Sequence, residues 1–212
     1  MKNHSALFTV LLISLFLGAA IPKSPATALK DIRKRYHDIE TFQASFKETF
    51  QWKLTGETTE REGMIYIAGE NRFRIETPEQ QMVSDGIALY RFNRPRSQVM
   101  VESVGKTDAP LPRRILLDFA EEFDAVSLSP LAVDGGEGYR LDLKPKDPEK
   151  ALLGSASLWV SSNNLLVKRI LLIDLNGNTT TYNLHNITFN QPVDSAALRF
   201  EPPQGAELFD LR

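Results

Sequence analysis

The side chains able to do chemistry are few. Apart from His4 near the N-terminus, the histidines are His37 and His185, and there is no cysteine. With no thiolate and two histidines far apart in the chain, a nitrogen or sulfur metal site is not expected. Disulfides and thiol chemistry are excluded outright. No serine stands in a nucleophile elbow. Asp85-Gly86 and Asp134-Gly135-Gly136 read as turns, and the cluster from Gly135 to Gly138 does not match a phosphate-cradling loop. The adjacent acids Glu121 and Glu122 suit a solvated helix face better than the two sides of a glycosidic bond. Carboxylates brought together from separate strands are the one catalytic arrangement left open. The expectation is a protein that binds and does not catalyse, with no metal and no cofactor.

What it binds is constrained by composition and compartment. A chain of 212 residues, 42% hydrophobic and 25% charged, is long enough for one domain with a substantial core. The formal net charge of −2 becomes more negative once the first 28 residues are removed, since they hold Lys2 and Lys23 but no acid. That balance provides no electrostatic footprint for nucleic acid or for an anionic membrane face. Met1-Lys2-Asn3-His4, the apolar run from Ala6 to Ile21 and the small-residue site Ala26-Thr27-Ala28 form a secretory signal peptide, residues 1–28, with cleavage after Ala28 and Ala20 or Ala26 as alternatives. A membrane anchor is the competing reading of the same run. The mature chain, 29–212, reads as a single domain stabilised by its apolar core.

The elements that must build a binding site are mostly strands. Met64 to Ile67, Arg72 to Ile75 and Ile87 to Tyr90 are short apolar runs, separated by Ala68 to Asn71 and by a connection from Thr77 to Gly86. In the first and third, neither alternate set is clearly polar, so both faces could be covered; in the middle one Arg72 and Arg74 oppose Phe73 and Ile75. Leu29, Ile32, Tyr36, Ile39 and Phe42 recur at helical spacing and predict a helix from about Ala28 to Phe42, with Arg33-Lys34-Arg35 on its solvated side. Phe46, Phe50, Trp52 and Leu54 then alternate as a strand, with Glu48 breaking the series. Val99 to Val101 is another short strand. Pro112 opens a second helix reaching Phe123, with Ile115, Leu116, Phe119 and Phe123 on one face. Its acids near the C-terminus oppose the helix dipole, so packing must hold it. Tyr139, Leu141 and Leu143 alternate in a strand, and Asp147-Pro148-Glu149 through Gly154 reads as a short helix or helical turn. Leu165 to Leu175 and Asn178 to Phe189 form a hairpin about Asn176-Gly177, read as a type I′ turn. Phe200 to Gly205 closes the sheet as an edge or exit. A helix followed by many strands is an α+β fold.

Set in order, several short stretches carry a resemblance. They are Thr41-Phe42-Gln43-Ala44-Ser45-Phe46, Gly63 to Phe73, Val83-Ser84-Asp85-Gly86 with Leu89-Tyr90, Leu143-Lys144-Pro145-Lys146, Asp174 to Thr179, and Phe200-Glu201-Pro202-Pro203-Gln204-Gly205. The sequence resembles the LolA family of periplasmic outer-membrane lipoprotein carriers from about Leu29 to the C-terminus. The resemblance implies an incomplete, strongly curved antiparallel β-barrel whose concave apolar face is lidded by helices. It implies a periplasmic monomer that takes lipoprotein acyl chains from an inner-membrane ABC transporter complex and passes them to an outer-membrane acceptor. A periplasmic sensor, or a carrier of another lipid on the same half-barrel, is the alternative; sensors of this type generally carry an extra domain, and this chain ends soon after Pro202-Pro203. Phe73 matches a family position associated with the cavity. Where this chain has Gly69-Glu70, family members often have a basic residue and proline, and the basic residue is tied in some to lid closure; Arg72 and Arg74 are the nearby candidates to replace it. The expected acyl-chain wall is Phe50, Trp52, Phe73, Ile75 and Leu89 on alternate positions of neighbouring strands, with Ile115 and Phe119 from the second helix.

Overall fold

The helical spacing that opens the mature chain stops earlier than its apolar pattern does. In the computed structural model, which describes residues 21–69, 71–106, 112–117 and 119–212, α1 is Pro25–His37. Ser24 caps it, its hydroxyl accepting from the Thr27 amide at 3.1 Å, and Pro25 takes the first turn. The expected extension to Phe42 does not occur. The Asn190 side chain accepts from the amides of Glu40 and Thr41, at 2.9 and 3.3 Å, so these amides are withdrawn from a helical ladder. Phe42 instead lies in strand β1, Thr41–Gln51.

Two antiparallel meanders follow. The first runs through β1, β2 (Thr58–Ala68), β3 (Arg72–Glu76), β4 (Gln80–Asp85), β5 (Ala88–Asn93) and β6 (Gln98–Ser103). The second comprises β7 (Phe123–Val133), β8 (Gly136–Pro145), β9 (Leu153–Ser161), β10 (Val167–Asp174) and β11 (Thr179–Phe189). Pairing of β1 with β11 joins them, and a last strand, β12 (Glu207–Asp210), runs parallel to β6, giving the order β12-β6-β5-β4-β3-β2-β1-β11-β10-β9-β8-β7. The sheet is curved and open, with β12 and β7 as its edges.

Several sequence expectations are corrected here. The Thr77 to Gly86 connection contains β4, and Phe123 begins β7 rather than ending a helix. The second helix is two short pieces, α2 (Pro112–Leu116) and α3 (Phe119–Glu122). Asp147 to Gly154 is a turn, with the Lys150 amide donating to the Asp147 carbonyl at 3.3 Å, and Gly154 already belongs to β9. The hairpin about Asn176-Gly177 is present, but only Gly177 of that pair has positive φ. The Gly177 amide donates to the Asp174 carbonyl at 3.1 Å and the Asp174 carboxylate accepts from the amides of Asn176 and Asn178. This is a longer loop ending in a left-handed glycine, not a two-residue type I′ turn. The segment from Phe200 to Gly205 is a loop, and the edge strand comes after it.

The strand order dictates where the connections go. Since β6 lies next to one edge and β7 forms the other, the segment carrying α2 and α3 must cross the open side of the sheet. The C-terminal segment must return from central β11 to β6, and it does so over the convex back: Arg74 Nη1 donates to the Ala197 carbonyl at 3.2 Å, and Phe200 stacks on Tyr90 at 5.2 Å. The concave face therefore receives the helices, and the principal core is formed there with Ala28, Leu29, Ile32 and Tyr36 of α1.

Candidate functional site

Alternation and register together define the concave wall. Phe73 is opposite Ile67 and Ile67 opposite Phe42; one step along, Met82, Ile75, Ile65 and Ala44 form the next row. Phe46 and Leu184 continue it across β1 and β11, and on the second meander Ile170, Leu158 and Leu141 stand opposite one another in turn. Successive inward positions on curved strands thus make one largely apolar surface, interrupted at the row of Arg61, Glu48 and Tyr182.

Among the described residues, cavities lie between this surface and the helices at two places. One, of about 440 Å³, lies under α2 and is lined by Phe50, Phe73, Ile75 and Leu89 together with Met82 and Leu116. The other, of about 350 Å³, lies at the far end of the same face, against Phe123, Leu143, Leu158, Ile170 and Leu172. They adjoin across the β10 and β11 pair, where Ile170 faces Tyr182 and Leu172 faces Thr180. Both are of a size that takes apolar ligands. The second was not anticipated from sequence, although the alternation of Tyr139, Leu141 and Leu143 was the signal for it.

Of the residues expected in the wall, Phe50, Phe73, Ile75 and Leu89 line the first cavity. Trp52 does not: β1 ends at Gln51, the Gly56 amide donates to the Trp52 carbonyl, and the indole is 49% exposed, edge-on to Phe50 at 4.9 Å. The side chains of Ile115 and Phe119 lie outside the described set. His37 and His185 are both exposed, on α1 and β11. Among the described residues no cluster of histidine and acid ligands could hold a metal ion.

The helices over the face are held in different ways. The Tyr36 hydroxyl on α1 accepts from the Val167 amide at 2.9 Å, and burial pushes its pKa up to about 12, so it stays protonated. Arg33 pairs with Glu121 of α3 at 3.2 Å, and the Arg35 guanidinium lies 4.9 Å from the centre of the Phe189 ring, so two members of the basic cluster serve packing. For α2 the polar tie is Arg113, whose Nη1 donates to the carbonyls of Ile39 at 3.2 Å and Gly69 at 3.3 Å. Neither Arg72 nor Arg74 plays this part. Arg74 lies on the convex side with Glu76 and Ala197, and Arg72 is exposed.

An apolar half-barrel closed by a helical segment agrees with the comparisons. The model for "Outer membrane lipoprotein carrier protein LolA" matches residues 37–201. This chain belongs to the LolA family. Among relatives, it is 28% identical to the outer-membrane lipoprotein carrier protein of Alcanivorax borkumensis, over 93% of this chain and 96% of that one. It is 25% identical to the carrier of the same description from Proteus mirabilis, covering 97% and 98%. An uncharacterised conserved protein of known structure from Thermus thermophilus shares the fold, with a TM-score of 0.55 and 12% identity over 85% of this chain and 98% of that one. Where LolA members often carry a basic residue, the carbonyl of Gly69 in this chain is met by Arg113 of α2.

Proposed function

We propose that this LolA-family chain is a periplasmic carrier that holds lipoprotein acyl chains against the concave face and moves them from the inner to the outer membrane. The observation that carries the reading is the largely apolar wall with two adjoining cavities beneath α2 and α3. The donor in this reading is an inner-membrane ABC transporter complex, the recipient an outer-membrane acceptor, and the carrier acts as a monomer. Binding is by burial, and catalysis has no part in it. Burying acyl chain contributes about 0.8 kcal/mol per methylene, so exposing a triacylated anchor to water costs on the order of 30 kcal/mol. Unaided crossing is therefore negligible. A carrier must still release, so part of that energy has to be offset by opening the lid and by covering the chains incompletely.

The direct test is release of lipoproteins from inner-membrane vesicles or spheroplasts. The mature protein is expected to bring acylated lipoprotein into the soluble fraction; cargo that stays in the pellet while a carrier of established activity releases it would overturn the reading. Phe50, Phe73, Ile75 and Leu89, with Ile115 and Phe119 from the lid segment, are proposed as the acyl contacts. A photoreactive residue at Phe73 should crosslink to acylated cargo and not to the same protein lacking lipid. Equal crosslinking to both would remove Phe73 from the acyl site.

For the signal peptide, cleavage after Ala20 is the site that preserves α1. Ser24 caps that helix, Ile21 packs against the core, and Ala28 and Leu29 are buried. Cutting after Ala28 would remove the cap, worth about 1 kcal/mol, and the first turn with it. The mass of protein recovered from the periplasm should correspond to a chain starting at Ile21; a start at Leu29 would contradict this.

A further inference from the structure

One row of the concave face breaks its apolar pattern. Across β2, β1 and β11 the register sets Arg61 opposite Glu48 and Glu48 opposite Tyr182, between a row with Phe46 and Leu184 and a row with Phe50. Arg61 Nη2 lies 2.9 Å from Glu48 Oε1, and Tyr182 stands beside Glu48 across the β1 and β11 pair. The Glu48 side chain is 15% exposed and that of Arg61 38%, so the pair runs from the cavity wall towards its rim. All three residues line the cavity under α2. Withdrawing an ion pair from water is costly enough that apolar replacement is often neutral or stabilising. A wall that met only alkyl chains would gain nothing from it.

The cluster also has a donor to spare. Arg61 meets Glu48 through Nη2, but its Nε–H is buried without an acceptor among the described residues. An unmade buried donor is destabilising, and a ligand acceptor placed there would relieve it. The ends of acyl chains carry such acceptors. We propose that Arg61, positioned by Glu48, binds the carbonyl oxygen of an acyl ester or amide whose alkyl chain occupies the cavity. The proposal rests on the acyl-carrier reading and adds to it a recognition of the linkage. Glu48 makes the acceptor a neutral carbonyl in preference to a free carboxylate, because its own charge repels an anion. Tyr182 stays a neutral phenol, since burial, followed by the charge of Glu48, holds its pKa well above the usual tyrosine range.

The test compares two synthetic lipopeptides titrated into the mature protein, one with a dipalmitoylglyceryl cysteine and one with the matching dihexadecyl ether, which lacks the carbonyls. The wild type should bind the ester roughly tenfold more tightly, as expected for a hydrogen bond to a charged group. Arg61→Met should abolish that preference by weakening the ester and leaving the ether unchanged. Because this variant leaves Glu48 without its partner, Arg61→Met combined with Glu48→Gln is measured beside it. The double variant should melt as the wild type does and show the same loss of preference. Equal binding of ester and ether by the wild type, or equal weakening of both in the variants, would overturn the carbonyl site while leaving the acyl carrier intact. If free palmitate is the probe whose binding depends on Arg61, the site takes a carboxylate and the proposal also fails. Absence of wild-type binding to either lipopeptide would refute the carrier reading itself.

Discussion

Gly63→Ala is expected to destabilise the protein by about 3 kcal/mol and to lower its melting temperature by roughly 10 °C. Gly63 lies on the concave side of β2, opposite Phe46. A Cβ built there would stand 2.2 Å from the Glu76 carbonyl oxygen and 2.9 Å from Phe46 Cζ. The phenyl ring could turn aside, but the carbonyl belongs to the backbone at the end of β3 and cannot move without unbending the sheet. Curvature crowds the inner face of a sheet, and a glycine at the crowded point lets two backbones approach. The clash therefore falls on the same bend that makes the cavity. Gly105→Ala is the control, because a Cβ at Gly105 meets nothing within 4 Å among the described residues; it should melt within about 0.5 kcal/mol of the wild type. A Gly63→Ala melting temperature within about 2 °C of the control would show that the bend does not depend on the missing side chain.

The same bend explains what could be read from the sequence and what could not. Strands whose inward positions are large and apolar were legible: Phe73 and Ile75 in β3 and Tyr139, Leu141 and Leu143 in β8 alternate plainly, and Leu89 in β5 stands in an apolar run without alternation. Strand β4 hid because Gln80, Gln81, Ser84 and Asp85 make a polar run in which only Met82 and Val83 are apolar, as fits a strand with part of its length at a cavity rim. Edge strand β7 hid for a different reason. It carries Ser127, Ser129 and Pro130, and proline is tolerated there because an edge has no second neighbour to bond. Trp52 kept the parity of Phe46 and Phe50 in sequence but fell beyond the last paired residue, so periodicity alone placed it inside. Glu48 showed in sequence only as a break in the alternation of Phe46, Phe50 and Trp52, and its pairing with Arg61 gave no signal, since the two are separated along the chain and meet only through the register of β1 and β2.

Arg113→Met is expected to raise amide exchange at Leu116 and Leu117 at least tenfold while leaving the hairpin from Leu171 to Leu184 unchanged. A helix as short as α2 has no independent stability, so its closed position depends on what it touches. Leu116 and Leu117 are buried, and Arg113 supplies the hydrogen bonds to Ile39 and Gly69. Each hydrogen bond to a charged group contributes about 1.5–3 kcal/mol, so losing both should multiply the open population at least tenfold. The Leu117 amide reports on this directly, since its partner is the Arg113 carbonyl at 2.8 Å. By contrast α3 keeps its ties, through Arg33 to Glu121 and through Lys146, whose amide donates to the Glu122 carbonyl at 2.9 Å. Opening is then a swing of α2 against an anchored α3. If acyl chains displace Leu116 from the cavity, closure opposes binding, and weakening closure must favour the loaded state by the same factor. Arg113→Met should accordingly bind acylated cargo more tightly than the wild type and give it up more slowly to acceptor membranes. Loading the wild type should itself change exchange at Leu116 and Leu117. Exchange at these two amides as slow as in the hairpin, in both empty and loaded protein and with Met at position 113, would make α2 a fixed part of the core and move the gate elsewhere.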